Sequence, residues 1–228
     1  MQPYFLPYIG YFQLIRAVDR FVIYDNIKYT KRGWINRNRI LLEGHDELFT
    51  LPLKNDSDSL NIDQRFLSDS YDRDASKTLR KISVAYRKAP FFGEVMPVIE
   101  QCFTHSDRNL FRFNFHAVKL ISKYLEIATE FIISSTVDID HSLAGEEKVL
   151  AICRSLHADT YINAIGGQEL YTKETFLSNE IHLKFIKTGE IVYPQLDGNF
   201  IPHLSIIDVL MFNKKETIKE YLQQYTLI

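Results

Sequence analysis

The residues best suited to bind an anion lie in the first forty positions of this 228-residue chain. A basic run between positions 31 and 39 alternates with an aromatic residue and two amides. Guanidinium and ammonium groups pair with phosphate or carboxylate, and asparagine amides bond to sugar hydroxyls or base edges. An alternative is equally open, in which the asparagines fix turns of a strand pair and the arginines lie in solvent. On the first interpretation the ligand contacts are Lys31, Trp34, Asn36, Arg37 and Asn38.

Two residues are candidates for acid–base chemistry. Asp25 ends an apolar run over 19–25 that predicts a buried strand, and we expect this carboxylate to act as a general base. His203 is a second candidate, provided that the fold brings it to Asp25 or to the hydroxyl pair Ser134 and Ser135. A solitary surface histidine is the alternative. The two serines end another predicted strand over 130–135 and are themselves candidate substrate contacts.

The opening twelve residues predict a shaped site. They hold two prolines, one glycine and five aromatic residues, and this composition is too rigid and irregular for an ordinary helix or strand. Further along, a glycine pair follows the predicted strand 160–164, where backbone N–H groups can bind phosphate, although such a pair more often forms only a turn. The additional predicted contacts are Gln2, Tyr4, Tyr8, Gly10, Tyr11, Gly166, Gly167 and Gln195.

Several well-known motifs are absent from the sequence. There is no G-x-x-x-x-G-K-[ST] and no G-x-G-x-x-G, so neither a P-loop nor a dinucleotide fingerprint is supported. There is also no H-E-x-x-H, no C-x-x-C and no G-x-S-x-G. We therefore predict no metal site and no serine-hydrolase triad, and no motif requires a cofactor.

The order of apolar runs predicts the fold. Strands over 19–25, 130–135, 160–164 and 181–186 alternate with helical patterns, which favours an α/β domain with a mostly parallel Rossmann-like sheet. Its ligand edge would hold Asp25, the serine pair and the glycine pair. Helical spacing over about 74–126 predicts a helical insertion within a single domain that spans 1–228.

Composition excludes some classes of partner. The formal net charge of −2 gives no general attraction to nucleic acid or to an anionic membrane. No stretch reaches the roughly twenty apolar residues that a membrane-spanning helix needs, and no secretory signal is recognisable. Cys102 and Cys153 lie far apart in predicted helices and are expected to be reduced thiols. We therefore expect a cytoplasmic protein.

Several of these segments together resemble one family. The runs 2–12, 21–25, 31–40, 193–195 and 204–208 are similar to those of the WbqC-like family, bacterial proteins associated with O-antigen and other surface-polysaccharide gene clusters. Relatives usually carry a short apolar strand before the Gln-Pro of the opening run. Either this chain starts upstream of Met1, or that strand is absent here.

The resemblance implies a role in surface-polysaccharide biosynthesis. As an enzyme, the protein would transfer an acyl or aminoacyl group to a nucleotide-linked amino sugar. Arg37 and Lys31 would hold phosphate, Tyr8 and Tyr11 would stack on the ligand, and Asp25 or His203 would be the base.

Two alternatives stay open beside this transferase. The first is a non-catalytic sugar-nucleotide-binding partner of a glycosyltransferase, and other enzymes of polysaccharide biosynthesis are candidate partners in either case. The second is a nucleotidyltransferase-like enzyme, because the run Tyr8-Ile9-Gly10-Tyr11 stands where such enzymes carry His-x-Gly-His. The replacement of both histidines by tyrosine weakens that analogy.

Overall fold

Three small sheets form the β structure in the residues that the computed structural model describes, 1–196 and 198–228. One sheet is a parallel pair, the second is an antiparallel hairpin, and the third has a parallel and an antiparallel neighbour around its central strand. The strands are β1 (Arg20–Ile23), β2 (Arg37–Leu42), β3 (His45–Thr50), β4 (Glu130–Ile133), β5 (Thr160–Ala164), β6 (His182–Thr188) and β7 (Tyr225–Leu227). Their orders are β1-β4, β2-β3 and β5-β6-β7.

The predicted mostly parallel Rossmann-like sheet is therefore wrong. β1 and β5 do not pair, and a cleft of about 660 Å³ lies between them, lined by Phe21 and Val22 on one side and by Tyr161 and Ile162 on the other. Met1 forms two backbone bonds at the end of β1: its nitrogen donates to the carbonyl oxygen of Val22 at 2.7 Å, and its carbonyl oxygen accepts from the nitrogen of Tyr24 at 2.9 Å. Alternating patterns identify strands, but they do not specify which edges pair, and that choice divides this α/β protein into separate sheets.

The helices lie close to where apolar spacing places them. Within the described residues they are α1 (Ile9–Arg16), α2 (Tyr71–Tyr86), α3 (Phe92–Phe103), α4 (Leu110–Tyr124), α5 (Gly145–Ser155), α6 (Lys173–Leu177), α7 (Ile206–Phe212) and α8 (Lys215–Tyr221). The predicted helical stretch of about 74–126 corresponds to α2, α3 and α4. These three helices share one hydrophobic core with α1, the first two strands and α7, and their origin as an insertion stays a prediction.

The hairpin between β2 and β3 has a simple local cause. Glu43 and Gly44 form its two-residue turn with φ angles of 50° and 76°. Positive φ at both central positions is typical of the turn whose twist matches the flanking strands. The pairing runs from Arg37 opposite Thr50 to Leu42 opposite His45.

The opening segment is the hub of the larger core. Phe5 is fully buried, and its ring packs edge-on to Phe103 with centroids 5.0 Å apart. Asn38 Nδ2 donates to the carbonyl oxygen of Leu6 at 2.7 Å, and the hydroxyl of Ser205 donates to the same oxygen at 2.7 Å. Leu6 has a φ of 45°, so these two bonds hold a backbone conformation that side-chain-bearing residues rarely adopt. Across 1–196 and 198–228, no helix combines the length and the apolar character that a bilayer crossing requires.

Candidate functional site

Asp25 and the serine pair meet at the carboxyl ends of β1 and β4. The two strands run parallel and pair Ile23 with Ile133, so the residues that follow each strand emerge side by side. Ser134 Oγ lies 2.8 Å from Asp25 Oδ1, and the backbone nitrogen of Ser135 donates to the same oxygen at 3.0 Å. Ser135 Oγ donates to Asp25 Oδ2 at 2.5 Å. The structure therefore places these three residues together, whereas the glycine pair that was predicted at the same edge follows β5, in a different sheet.

The Asp25 carboxylate and the Ser135 hydroxyl differ in their exposure to solvent. Asp25 is buried, whereas Ser135 is exposed. The solvent-facing hydroxyl of Ser135 therefore donates to a carboxylate, that of Asp25, which is shielded from solvent. Because a carboxylate at this distance can accept the hydroxyl proton, Ser135 can pass a proton from a bound substrate to Asp25.

Three further polar residues extend the cluster, and we name the set of Asp25, Asn26, Ser134, Ser135, His141 and Lys148 the strand-end cluster. Asn26 Oδ1 lies 2.8 Å from Ser134 Oγ and 3.4 Å from Lys148 Nζ. Asn26 Nδ2 lies 3.2 Å from His141 Nδ1. An amide nitrogen can only donate, so His141 Nδ1 accepts and its neutral ring carries the proton on Nε2.

Asp63 borders this cluster from the loop after β3. Its backbone nitrogen donates to the carbonyl oxygen of Asp25 at 3.2 Å. Burial raises the pKa of the Asp63 carboxyl, and the negative charge of Asp25 raises it further. Two neighbouring carboxyls thus differ in environment, since Asp25 accepts three hydrogen bonds while Asp63 Oδ1 has no partner among the described residues.

The tyrosines of the opening segment form a separate group around His203. The rings of Tyr8 and His203 pack edge-on with centroids 5.9 Å apart, and His203 is exposed at a φ of 57°. Tyr4 and Tyr11 lie 5.7 Å apart, and the Tyr11 hydroxyl donates to the carbonyl oxygen of Gln2 at 2.8 Å. Tyr11 is buried. No hydrogen bond within the described residues joins His203 to the strand-end cluster.

The basic run surrounds a half-exposed indole. Trp34 is 41% exposed, and the guanidinium carbons of Arg37 and Arg39 lie 5.7 Å and 5.5 Å from its ring centroid. Arg37 also donates through Nε to the carbonyl oxygen of Gly33 at 2.9 Å. Lys31 pairs with Asp58 at 2.8 Å, and this exposed pair lowers the pKa of the Asp58 carboxyl.

Three predicted contacts instead hold the backbone together. The Asn36 amide nitrogen donates to the carbonyl oxygen of Leu51 at 2.8 Å, and Asn38 bonds to the opening segment as described above. Gln195 Nε2 donates to Asp208 Oδ1 at 2.8 Å. The two asparagines therefore have the structural role that was the alternative interpretation of the basic run. We do not include Asn36, Asn38 or Gln195 in the candidate site.

The glycine positions have different surroundings. A Cβ at Gly10 would lie 2.3 Å from the Tyr8 ring, and one at Gly167 would lie 2.7 Å from Asn163 Nδ2, whereas one at Gly166 would meet open space. Gly166 and Gly167 lie in a short 3-10 helix, Ile165–Leu170, that directly follows β5. A phosphate contact at this pair stays a prediction.

Asn26, His141 and Lys148 were missed by the sequence analysis. Asn26 directly follows Asp25 at the end of a strand, which is a recognisable signal. Lys148 lies four residues before the buried Ile152, so helical spacing places it on the inward face of α5. A lysine on such a face is unusual enough to have been noticed. In the described part of the chain, no three His, Cys, Asp or Glu side chains converge as a metal site would require.

Comparisons with known proteins extend these observations. The sequence model of the WbqC-like protein family matches residues 2–220. The uncharacterized protein Rv1507c of Mycobacterium tuberculosis (strain ATCC 25618 / H37Rv) is 29% identical over 225 residues, which cover 98% of this chain and 96% of the relative. No solved structure matches the chain. Because the family match covers nearly the whole sequence, this chain belongs to the WbqC-like protein family.

Proposed function

We propose that this protein is a transferase of bacterial surface-polysaccharide (O-antigen) assembly, which moves an acyl or aminoacyl group to the amine of a nucleotide-linked amino sugar. The observation that carries the proposal is the exposed Ser135 hydroxyl on the buried Asp25 carboxylate. This pair lies where two parallel strands end, a place at which α/β proteins commonly bind ligands. The family context supports the substrate class.

The pair suits amide formation. The sugar amine attacks the carbonyl carbon of a thioester or ester donor, and a C–N bond forms while the bond from carbon to the leaving sulfur or oxygen breaks. The amine must lose a proton in this step. Ser135 Oγ takes that proton as its own passes to Asp25 Oδ2, and the proton on Asp25 then returns to the leaving group.

Other parts of the chain would hold the nucleotide. Trp34 offers a partly exposed ring for a base, and Arg37 beside it forms no ion pair with a carboxylate in the described residues. A guanidinium in that state can pair with phosphate. Lys31 is engaged with Asp58, so Arg37 is the stronger of the two predicted phosphate contacts.

Amide product formation tests the proposal. Purified protein is incubated with nucleoside-diphosphate amino sugars and with thioester or aminoacyl-ester donors, and products are identified by mass spectrometry. We expect Ser135→Ala and Asp25→Asn to lower kcat by about 10²- to 10⁴-fold, because each removes one proton carrier. Thr136→Ala is the matched control, since this neighbouring exposed hydroxyl donates to the carbonyl oxygen of Ile133 rather than to Asp25.

Three results would contradict this proposal or favour one of its alternatives. Full turnover in Asp25→Asn would remove the proposed base. Binding of nucleotide-sugars without any amide product would favour the non-catalytic partner of a glycosyltransferase, in which Asp25 only ties β1 to β4. Release of pyrophosphate from a nucleoside triphosphate would favour the nucleotidyltransferase-like alternative.

A further inference from the structure

Lys148 is a buried cation without a charged partner. It is 7% exposed, and no carboxylate in the described part of the chain forms an ion pair with it. Among the described residues its hydrogen-bond acceptor is Asn26 Oδ1 alone, at the long distance of 3.4 Å. That oxygen is also 2.8 Å from Ser134 Oγ. An ammonium carries three donors, so most of its bonding capacity is unused.

Such a group has a free-energy cost in the unliganded protein. Burial removes the hydration of a charge, and one long amide contact recovers little of it. The Tyr24 ring lies 5.9 Å from Lys148 Nζ and adds only a weak attraction. The carboxylate of Asp25 accepts bonds from the serine pair and forms no ion pair with Lys148 among the described residues. An anionic ligand would supply the missing charged partner of Lys148.

The start of α5 adds donors on the same side. Lys148 is the fourth residue of this 11-residue helix, and helical side chains tilt toward the amino end. The first N–H groups of a helix have no partner within it, and the preceding residue, Ala144, provides no side-chain cap. A Cβ at Gly145 would meet nothing within 4 Å, so the space directly beside the first residue of the helix is open.

Two acidic residues and one histidine lie near the start of α5 and affect how well an anion would bind there. Glu146 and Glu147 lie in the first turn of α5 and oppose an anion. The Glu146 carboxylate accepts a bond from the backbone nitrogen of Thr172 at 2.7 Å, and Glu147 is exposed to solvent, where its charge is screened. His141 contributes a donor from its Nε2, as derived above.

We propose that Lys148 and the first turn of α5 bind a phosphate group. Lysine binds phosphate as a point charge, and helix amino ends bind it through backbone N–H groups. The inference rests on the proposed function in one respect, namely that this phosphate is the one adjacent to the amino sugar. Held there, it would direct the sugar amine toward Ser135.

Binding of inorganic phosphate tests the site without any sugar or acyl donor. We expect a saturable titration by calorimetry. The Kd should rise roughly 10- to 100-fold in Lys148→Met, because one charge-assisted contact is lost. Lys148→Arg should retain most of the affinity. Lys184→Met, which removes an exposed lysine on β6, should leave the Kd for phosphate unchanged.

Thermal unfolding gives an independent check. Without phosphate, Lys148→Met should melt about 2 to 4 °C above the wild type, because the unpaired buried charge is gone. With phosphate, the wild type should gain stability and the variant should not. Lys148→Gln replaces the methionine variant should that protein fail to fold.

Three outcomes would overturn the site. They are the absence of phosphate binding, an unchanged Kd in Lys148→Met, and a response to acetate in place of phosphate, which would assign the cation to a carboxylate. If inorganic phosphate and a nucleoside diphosphate both bind through Lys148, the nucleotide is identified as a source of the bound phosphate group. Failure of the transfer assay leaves the phosphate titration unaffected, so the two proposals fail separately.

Discussion

The hydroxyl of Tyr86 donates a hydrogen bond to Asp208 Oδ2 at 2.9 Å, and both residues are buried. The same hydroxyl oxygen accepts a bond from the backbone nitrogen of Leu41 at 2.9 Å. The Tyr193 hydroxyl donates to the other carboxylate oxygen at 2.6 Å. Through this network α2, β2 and the segment before α7 share one carboxylate. Burial raises the pKa of the Asp208 carboxyl, and the donors that surround it oppose that rise.

Removal of the Tyr86 hydroxyl should therefore weaken the fold. We expect Tyr86→Phe to lower the free energy of unfolding by about 1.5 to 3 kcal/mol, because a buried N–H of Leu41 loses its acceptor and Asp208 loses a donor. Urea denaturation measures the change. Tyr225→Phe is the control, since no hydrogen bond of that hydroxyl is present in the described residues. Equal stability of Tyr86→Phe and the wild type would show that the network contributes nothing.

Asn114 fixes the opening segment from within α4. It is fully buried, and its amide nitrogen donates to the carbonyl oxygens of Pro3 at 2.8 Å and Ile35 at 2.7 Å. Asn114→Ala should cost about 2 to 4 kcal/mol in unfolding free energy, since the Pro3 carbonyl loses a donor and the Ile35 carbonyl, which also accepts from the nitrogen of Phe5, loses one of two. The exposed Asn55→Ala provides the comparison. A loss below 0.5 kcal/mol, on the order of an ordinary surface substitution, would contradict this account.

Two helical glycines should respond in opposite directions to alanine. A Cβ at Gly10 would lie 2.3 Å from the Tyr8 ring and 2.6 Å from Thr188 Oγ1, so Gly10→Ala should destabilise the protein by about 1 to 3 kcal/mol. A Cβ at Gly93 in α3 meets nothing within 4 Å. Gly93→Ala should therefore stabilise by about 0.5 to 1 kcal/mol. Melting temperatures of the two variants test both signs, and a stabilised Gly10→Ala would refute the close contact.

The stability of the helical region should depend on pH through His116. Its ring stacks on that of His105 with centroids 4.1 Å apart, and burial together with the neighbouring imidazole lowers the pKa of His116 below its ordinary 6.5. A lowered pKa means that the unfolded chain binds the proton more tightly. This contribution to stability is thus complete above pH 6.5 and is lost as the pH falls through the pKa of the folded state.

Unfolding measured between pH 7.5 and about 5 tests this direction. His116→Gln should show a smaller loss of stability over that interval than the wild type, whereas the exposed His182→Gln should follow the wild type. An identical pH profile in His116→Gln would assign the dependence to other groups.

Local chemistry determined much of what the sequence alone revealed. Apolar spacing located the helices between Tyr71 and Tyr124, and Asp25 and the serine pair were expected at one edge and are found bonded there. These features depend on residues close together in sequence, or on the common direction of two adjacent strands. The WbqC-like resemblance was likewise contained in short runs, and the family match confirms it.

Tertiary packing decided the remainder. Which strand edges pair depends on how distant segments meet, and the gap between β1 and β5 has no local signature. The same reason explains why Asn38 and Gln195 resembled ligand contacts: a polar side chain that serves a buried backbone is identical in sequence to one that faces a substrate. Lys148 had a local signal in its helical spacing, but its place beside Asn26 is decided only when α5 meets the segment that follows β1.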